Sequence, residues 1–241
     1  MHSFLSRFII TLLLVAGTAF ADSPIEDLSV NEFKALVDSG EGILLDVRTP
    51  EEVAQGMIPG ASLLNIYDEN FERKLNFMQK DKPIYVYCRS GGRSSQAAKT
   101  MSKNGFSKVY NLLGGIGTWN KAELPLEKAK SVSKTLTPSI SPKDFAQTLS
   151  QSRLALVDFQ TQWCAPCKQM EPVIDAIGIE FKGKAAILKI DVDANPEIAG
   201  QYEVQGVPVF VLFVKGEEKW RHSGTISREA LEERINREIN D

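Results

Sequence analysis

Three cysteines carry most of the reactive potential of this 241-residue sequence. Cys88 ends an apolar run in "YVYCRSGGRSSQ" and precedes a loop with two arginines and two glycines. Gly91 and Gly92 permit a tight turn that points several backbone N–H groups inward. The helix predicted over Arg93–Lys103 adds free N–H groups and the positive end of its dipole. Arg89 and Arg93 add charge. An anion cradle with a sulfur at its base favours the thiolate over the thiol. The alternative is an inert, buried cysteine at a strand end, and the Gly-Gly, double-Arg surroundings argue against it.

Cys164 and Cys167 stand two residues apart in "WCAPCK". A C-x-x-C beside an α/β pattern reads as a redox dithiol. Cys164 falls just before a predicted helix with Pro166 in its first turn, where the helix dipole favours a thiolate. It is therefore expected to be the attacking sulfur. Cys167, one turn in and less accessible, would resolve the mixed disulfide. Structural zinc needs four ligands, and beyond the pair only Cys88 and His222 remain after the leader, so no metal is expected. An inert structural disulfide stays as the alternative.

The elements that must position these residues follow an α/β grammar. Continuously apolar strands are predicted at Ile43–Val47, Ile84–Tyr87 and Val109–Leu112, with helices over Pro50–Gln55, Phe71–Gln79 and Arg93–Lys103. A second set has strands at Leu154–Gln160, Ala185–Asp191, Val209–Val214 and Glu218–His222. Its helices cover Pro166–Phe181, Pro196–Tyr202 and Ser227–Ile239. Ser29 with Glu32 forms a capping-box signature, and Ser141 followed by Pro142 marks a second helix start. Leu231, Ile235 and Ile239 form an apolar stripe read as core packing. Between the two sets, "LPLEKAKSVSKTLTPSISP" lacks an apolar period and reads as a linker over residues 126–137. The expected domains are residues 25–125 and 138–241.

The N-terminus "MHSFLSRFIITLLLVAGTAFADS" has Arg7, an apolar run from Phe8 to Ala16, and small residues at Ala19 and Ala21. It reads as a secretory signal cleaved after Ala21. The run is shorter than the ~20 residues that span a bilayer, so no stable membrane insertion is expected after cleavage. A net charge of −3 gives no basic excess for nucleic acid. In an oxidising compartment Cys164 and Cys167 pair, and Cys88 is left over.

At this point two resemblances become specific. "CRSGGRS" resembles the active-site loop of the rhodanese sulfurtransferases. "LLDVRTPEEVAQGMIPGASLLNI" and "YNLLGGIGTW" resemble the flanking signatures, over Leu28 to Leu126. The resemblance implies that Cys88 holds a sulfane sulfur as a persulfide. Arg89, Ser90, Gly91, Gly92, Arg93 and Ser94 would bind the substrate, with Asp46 and Arg48 as supports beneath the loop. Met57 departs from the family's usual His. Cysteine phosphatases of a related fold usually place five residues between Cys and Arg. Only four separate Cys88 from Arg93, which suits one sulfur atom better than phosphate.

"LVDFQTQWCAPCKQMEPV" and "LKIDVDANPEIAGQYEVQGVPVFVLFVKGE" resemble thioredoxin, from Ser141 to the C-terminus. That implies Asp158 as the buried carboxylate that moves a proton at Cys167, with Lys189 close to it. It implies Trp163 as a shield over the site and Pro208 as a cis residue against the disulfide. Ala165 and Val209 replace the usual Gly and Thr. The expected potential lies between roughly −270 and −180 mV, toward the reducing side.

The sequence thus predicts an α/β protein with an N-terminal rhodanese-like domain and a C-terminal thioredoxin-fold domain, exported to the periplasm. Expected partners are a small sulfur donor such as thiosulfate or a persulfide, thiol/disulfide proteins, and a membrane thiol reductase as electron source. No cofactor is expected. Two rival readings remain: a protein-disulfide reductase with the first half as docking module, and a non-enzymatic sensor.

Overall fold

A computed structural model describes residues 25–128 and 139–240. The expected signal segment and most of the expected linker lie outside the described residues. Among those described, no helix is long and apolar enough to cross a membrane.

The N-terminal half runs β1 (Ile25–Leu28), α1 (Val30–Ser39), β2 (Ile43–Asp46), α2 (Pro50–Val53), β3 (Ser62–Leu63), α3 (Phe71–Leu75), β4 (Ile84–Tyr87), α4 (Gly92–Lys103), β5 (Val109–Leu112) and α5 (Gly115–Lys121). Its five strands are all parallel, in the order β1-β5-β4-β2-β3. Parallel strands end on one side of the sheet, so Asp46, Cys88 and the turn after β5 gather at one rim. Helix α1 starts where the capping signature falls, with the Ser29 amide donating to the Glu32 carboxylate at 3.0 Å.

The C-terminal half runs α6 (Pro142–Gln151), β6 (Leu154–Gln160), α7 (Ala165–Glu180), β7 (Ala186–Asp191), α8 (Pro196–Gln201), β8 (Val209–Val214), β9 (Glu217–Ser223) and α9 (Arg228–Asn240). Its mixed sheet has the order β7-β6-β8-β9, with β6 and β7 parallel and the other pairs antiparallel. Helix α6 is capped by Ser141, whose Oγ accepts from the Asp144 amide at 3.1 Å. The Leu231 and Ile235 stripe is fully buried against α7 and β8 residues such as Ile177 and Phe210, as core.

Three differences from the sequence reading matter. The first sheet has two more strands than the three expected. β1 is a polar "IEDL" edge and β3 is only two residues long, so neither has an apolar run to read. Helix α3 stops at Leu75, short of Gln79. The start of the expected linker is held: Met57 and Glu127 exchange both backbone hydrogen bonds at 2.9 Å, and the Glu127 carboxylate accepts from the Gly60 amide at 2.9 Å.

The two halves also dock. One continuous apolar cluster runs from Leu64, Leu75, Met78 and Cys88 to Trp163, Cys164, Cys167 and Val207. The Leu63 amide, on the outer edge of β3, donates to the Trp163 carbonyl at 3.0 Å, and the Val207 amide donates to the Phe77 carbonyl at 2.9 Å. Ser62 Oγ accepts from the Ala165 amide at 3.0 Å. Lys74 pairs with Asp68 at 2.7 Å and reaches Asp193 across the seam at 3.6 Å. An unpaired sheet edge is a liability that proteins cover, and here the cover is the loop carrying the C-x-x-C.

Candidate active sites

The loop after β4 wraps the Cys88 sulfur. The Gly91 amide donates to Cys88 Sγ at 3.1 Å, and Ser94 Oγ lies 3.3 Å from it. Gly91 has φ 96°, a left-handed conformation open to glycine. Burial pushes the Cys88 thiol up. Hydrogen bonds from the Ser94 hydroxyl and the Ser94, Ser90 and Gly91 amides outweigh it, and the net shift is downward. Arg89, Ser90 and Gly92 are exposed at the mouth. A cleft of about 510 Å³, lined by Arg48, Glu52, Arg89 and Asn120 among others, opens beside them.

The loop is held from below by residues not singled out in the sequence. The Ile116 amide donates to the Cys88 carbonyl at 2.8 Å and the Gly117 amide to the Arg89 carbonyl at 3.2 Å. Gly115 has φ 59°, and a Cβ there would lie 2.3 Å from the Cys88 carbonyl oxygen. The "GGIG" run was the available signal: its glycines let two backbones touch. Asp46 and Arg48 are buried and joined by a forked ion pair, Nε to Oδ1 at 2.9 Å and Nη2 to Oδ2 at 2.6 Å. Arg48 also donates to the Gly56 carbonyl at 2.8 Å, so it pins the α2 turn.

Arg93 differs from the expectation of a free cradle charge. Its guanidinium forms a fork with the Glu52 carboxylate at 2.7 and 2.6 Å. That bond holds the Glu52 carboxyl down at about 2 and raises Arg93. Glu52 was missed because it lies 41 residues away in sequence, in the α2 turn. The cradle's attraction for anions therefore rests on backbone amides and Arg89 more than on Arg93.

In the second half, Cys164 caps α7 and is joined to Cys167 by a disulfide. The Val207–Pro208 peptide is cis. Cys164 Sγ lies 3.7 Å from the Val207 carbonyl oxygen. Trp163 is nearly buried and its indole N–H donates to Asp193 at 2.9 Å. Cys164 was expected to be the accessible member, yet it is 3% exposed and Cys167 2%. The reason is the docked first half, whose Ser62–Leu63 edge and Phe77 carbonyl flank the disulfide.

Asp158 is buried on β6, and its Oδ1 has no hydrogen-bond partner. Burial pushes its carboxyl up to about 7, against a downward pull from Lys189. Lys189 sits opposite Asp158 in the β6–β7 register, but its ammonium pairs with Asp175 at 2.6 Å. Their proximity acts through field alone. Among the described residues no cluster of His, Cys, Asp or Glu could hold a metal.

A family model described as a rhodanese-like domain matches residues 29–122, and one described as thioredoxin matches residues 137–237. The chain is a rhodanese–thioredoxin fusion. Its thioredoxin half is 37% identical over 102 residues to the thioredoxin of Rickettsia felis, spanning 42% of this chain and 97% of that one. It is 38% identical over 79 residues to thioredoxin 1 of Chlorobaculum tepidum, 33% of this chain and 78% of that one. A solved mutant thioredoxin from Halobacterium salinarum is 34% identical, covers 41% of this chain and 86% of its own, and superposes with a TM-score of 0.39. The fusion thus joins sulfurtransferase and thiol–disulfide oxidoreductase domains, and its C-x-x-C pair is the redox motif of the second.

Two outcomes follow from the electrostatics. Folding raises the Asp158 pKa, so between 3.8 and about 7 the folded state keeps a proton that the unfolded chain releases. Stability then falls as pH rises through that window and levels off above it. Asp158→Asn should be more stable than wild type at pH 8 by about 2–4 kcal/mol, with the advantage gone near pH 4, in urea titrations. No gain at pH 8 would contradict burial as the cause. At the rhodanese loop, Glu52→Gln leaves Arg93 unopposed and should lower the pH midpoint of Cys88 alkylation, whereas Arg93→Ala should raise it. Identical midpoints in both variants would remove Arg93 from the thiolate's field.

Proposed function

We propose that the fusion is an exported enzyme that captures sulfane sulfur on Cys88 and reduces it to sulfide with the Cys164–Cys167 dithiol. The observation that supports it most is the Cys88 sulfur: a buried thiol lowered in pKa by converging amide and hydroxyl donors. With thiosulfate as donor, the Cys88 thiolate attacks the outer sulfur and expels sulfite, leaving Cys88 as a persulfide anion. The inward amides of Ser90, Gly91 and Ser94 stabilise its terminal sulfur as they do the thiolate.

The reducing half follows from the chemistry of a dithiol. The Cys164 thiolate takes the outer sulfur, releasing the Cys88 thiolate. The Cys167 thiol then attacks the Cys164 sulfur and expels hydrosulfide, closing the disulfide. Two electrons pass from the dithiol to the sulfur atom. Asp158, with its pKa about 7, accepts the Cys167 proton as that thiol becomes the nucleophile and returns it to the departing sulfur, which leaves as hydrosulfide. A membrane thiol reductase would return the electrons. Export to the periplasm rests on the N-terminal leader and explains why Cys88 has no cysteine partner: its partner is a sulfur atom.

Cys88 and Cys164 do not meet in the docked arrangement. Tyr87 pairs with Asp46, Asp46 with Leu63, and Leu63 with Trp163. Three strand spacings separate the two sites, roughly 14 Å. The handover therefore needs the halves to part along the β3 edge and re-close with the sulfurs facing. Residues 129–138, which join the two halves in sequence, lie outside the described residues.

Incubation with thiosulfate should add the mass of one sulfur atom to wild type on a peptide containing Cys88, and none to Cys88→Ser, by intact and peptide mass spectrometry. Loaded and reduced Cys167→Ser should keep the sulfur, as a persulfide on Cys88 or Cys164, instead of releasing sulfide. Full sulfur transfer by Cys88→Ser would overturn the reading.

A further inference from the structure

We propose that the rhodanese half is a built-in competitor for the polypeptide-binding face of the dithiol, so that reduction of protein disulfides is held back until the two halves separate. The proposal rests on the disulfide-reducing activity of the thioredoxin half and stands whether or not Cys88 carries sulfur.

The face around Cys164 carries two backbone groups that no bond within the thioredoxin half uses, the Trp163 carbonyl and the Val207 amide. One belongs to the residue that precedes Cys164 in the chain, the other to the residue whose carbonyl lies 3.7 Å from the Cys164 sulfur. A client must bring a disulfide sulfur in line with Cys164, so its extended backbone has to run between these two groups. Both are already used. The Leu63 amide donates to the Trp163 carbonyl, and the Phe77 carbonyl accepts from the Val207 amide. Ser62 fills the gap by accepting from the Ala165 amide at the first turn of α7. An acceptor and two donors of the face are thus met by an edge strand and a turn of the same chain, as an added peptide strand would meet them.

The fit continues beyond these bonds. Gly206 has no side chain where the chain passes Gln79: a Cβ there would stand 3.1 Å from Gln79 Cγ and 3.4 Å from the Gln79 backbone nitrogen. Gly224 faces the Gln79 side-chain amide from the other side. Helix α3 ends at Leu75, which frees Phe77 to present its carbonyl outward. The dithiol so covered is 3% and 2% exposed, too little for a folded client to reach. Because the competitor is tethered, it acts at an effective concentration on the order of millimolar, above that of most clients.

The step under control balances as ordinary exchange. Cys164 attacks a client disulfide and releases one client thiol. Cys167 then displaces the second and closes the Cys164–Cys167 disulfide, which dithiothreitol reopens in the assay.

The test uses the full chain altered on the rhodanese side alone, leaving the dithiol face intact. Leu63→Pro removes the amide that bonds Trp163. It spares the β2–β3 ladder, because the neighbouring Leu64 amide makes that bond to Asp46, and proline is tolerated on an edge strand. Gln79→Trp wedges the contact at Gly206. Both variants should reduce insulin about tenfold faster than wild type with dithiothreitol as reductant, which corresponds to ~1.4 kcal/mol, one to two backbone hydrogen bonds. Cyanide-dependent sulfur transfer at Cys88 should stay within about twofold of wild type, which checks that the first half is folded and reports the Cys88 reading separately. Insulin rates equal to wild type in both variants would overturn the proposal. So would a Val207 amide that exchanges with solvent deuterium at the unprotected rate in wild type, since its one described partner is the Phe77 carbonyl.

Discussion

The hydrogen bond from the Leu63 amide to the Trp163 carbonyl joins the edge of one sheet to the active loop of the next domain. Much else depends on it. It closes an edge strand too short to protect itself, it seats Ser62 against the first turn of α7, and it aligns the Phe77 carbonyl with the Val207 amide. It also sets the distance between the two sulfur sites, because Cys88 lies two strands in from that edge. A fusion of two folds could have been two beads on a string. Here a shared apolar cluster packs the first domain against the dithiol loop of the second.

The two sulfur sites solve the same electrostatic problem in different ways. A thiolate in an apolar surrounding must find compensating dipoles or revert to a thiol. Cys88 finds them in its own loop, where a left-handed Gly91 and the backbone beneath it turn amides inward. The arginine that looks in the sequence like the source of positive charge is instead neutralised by Glu52 and ties the loop to α2. The second site places a carboxyl where water does not reach, so Asp158 keeps a proton near neutral pH. Burying that carboxyl carries a cost to stability that a neutral side chain would avoid.

Much of the local geometry of the two sites was legible in the sequence, because it depends on local spacing. The Cys88 loop, the helix start at Cys164 and the Ser29 and Ser141 caps are each written within a few residues. The apolar strands were legible for the same reason. What could not be read lies in long-range pairing. Strand β3 has two residues and no pattern of its own, and it exists because β2 on one side and Trp163 on the other bond its backbone. Strand β1 carries Glu26 and Asp27 and is a strand only by pairing with β5. Glu52 and Arg93 meet across 41 residues, and Lys189 turns to Asp175 although it stands opposite Asp158. The burial of Cys164 follows from the docked domain and has no local signature.

In the proposed reaction, sulfur passes within one chain, from Cys88 to the dithiol, once the halves part along the β3 edge. Sulfide release from pre-loaded, fully reduced protein in a single turnover tests this most directly, measured across a hundredfold range of dilution. A tethered handover predicts a first-order rate that does not change with protein concentration. A rate that falls in proportion to dilution would place the transfer between molecules and contradict the account.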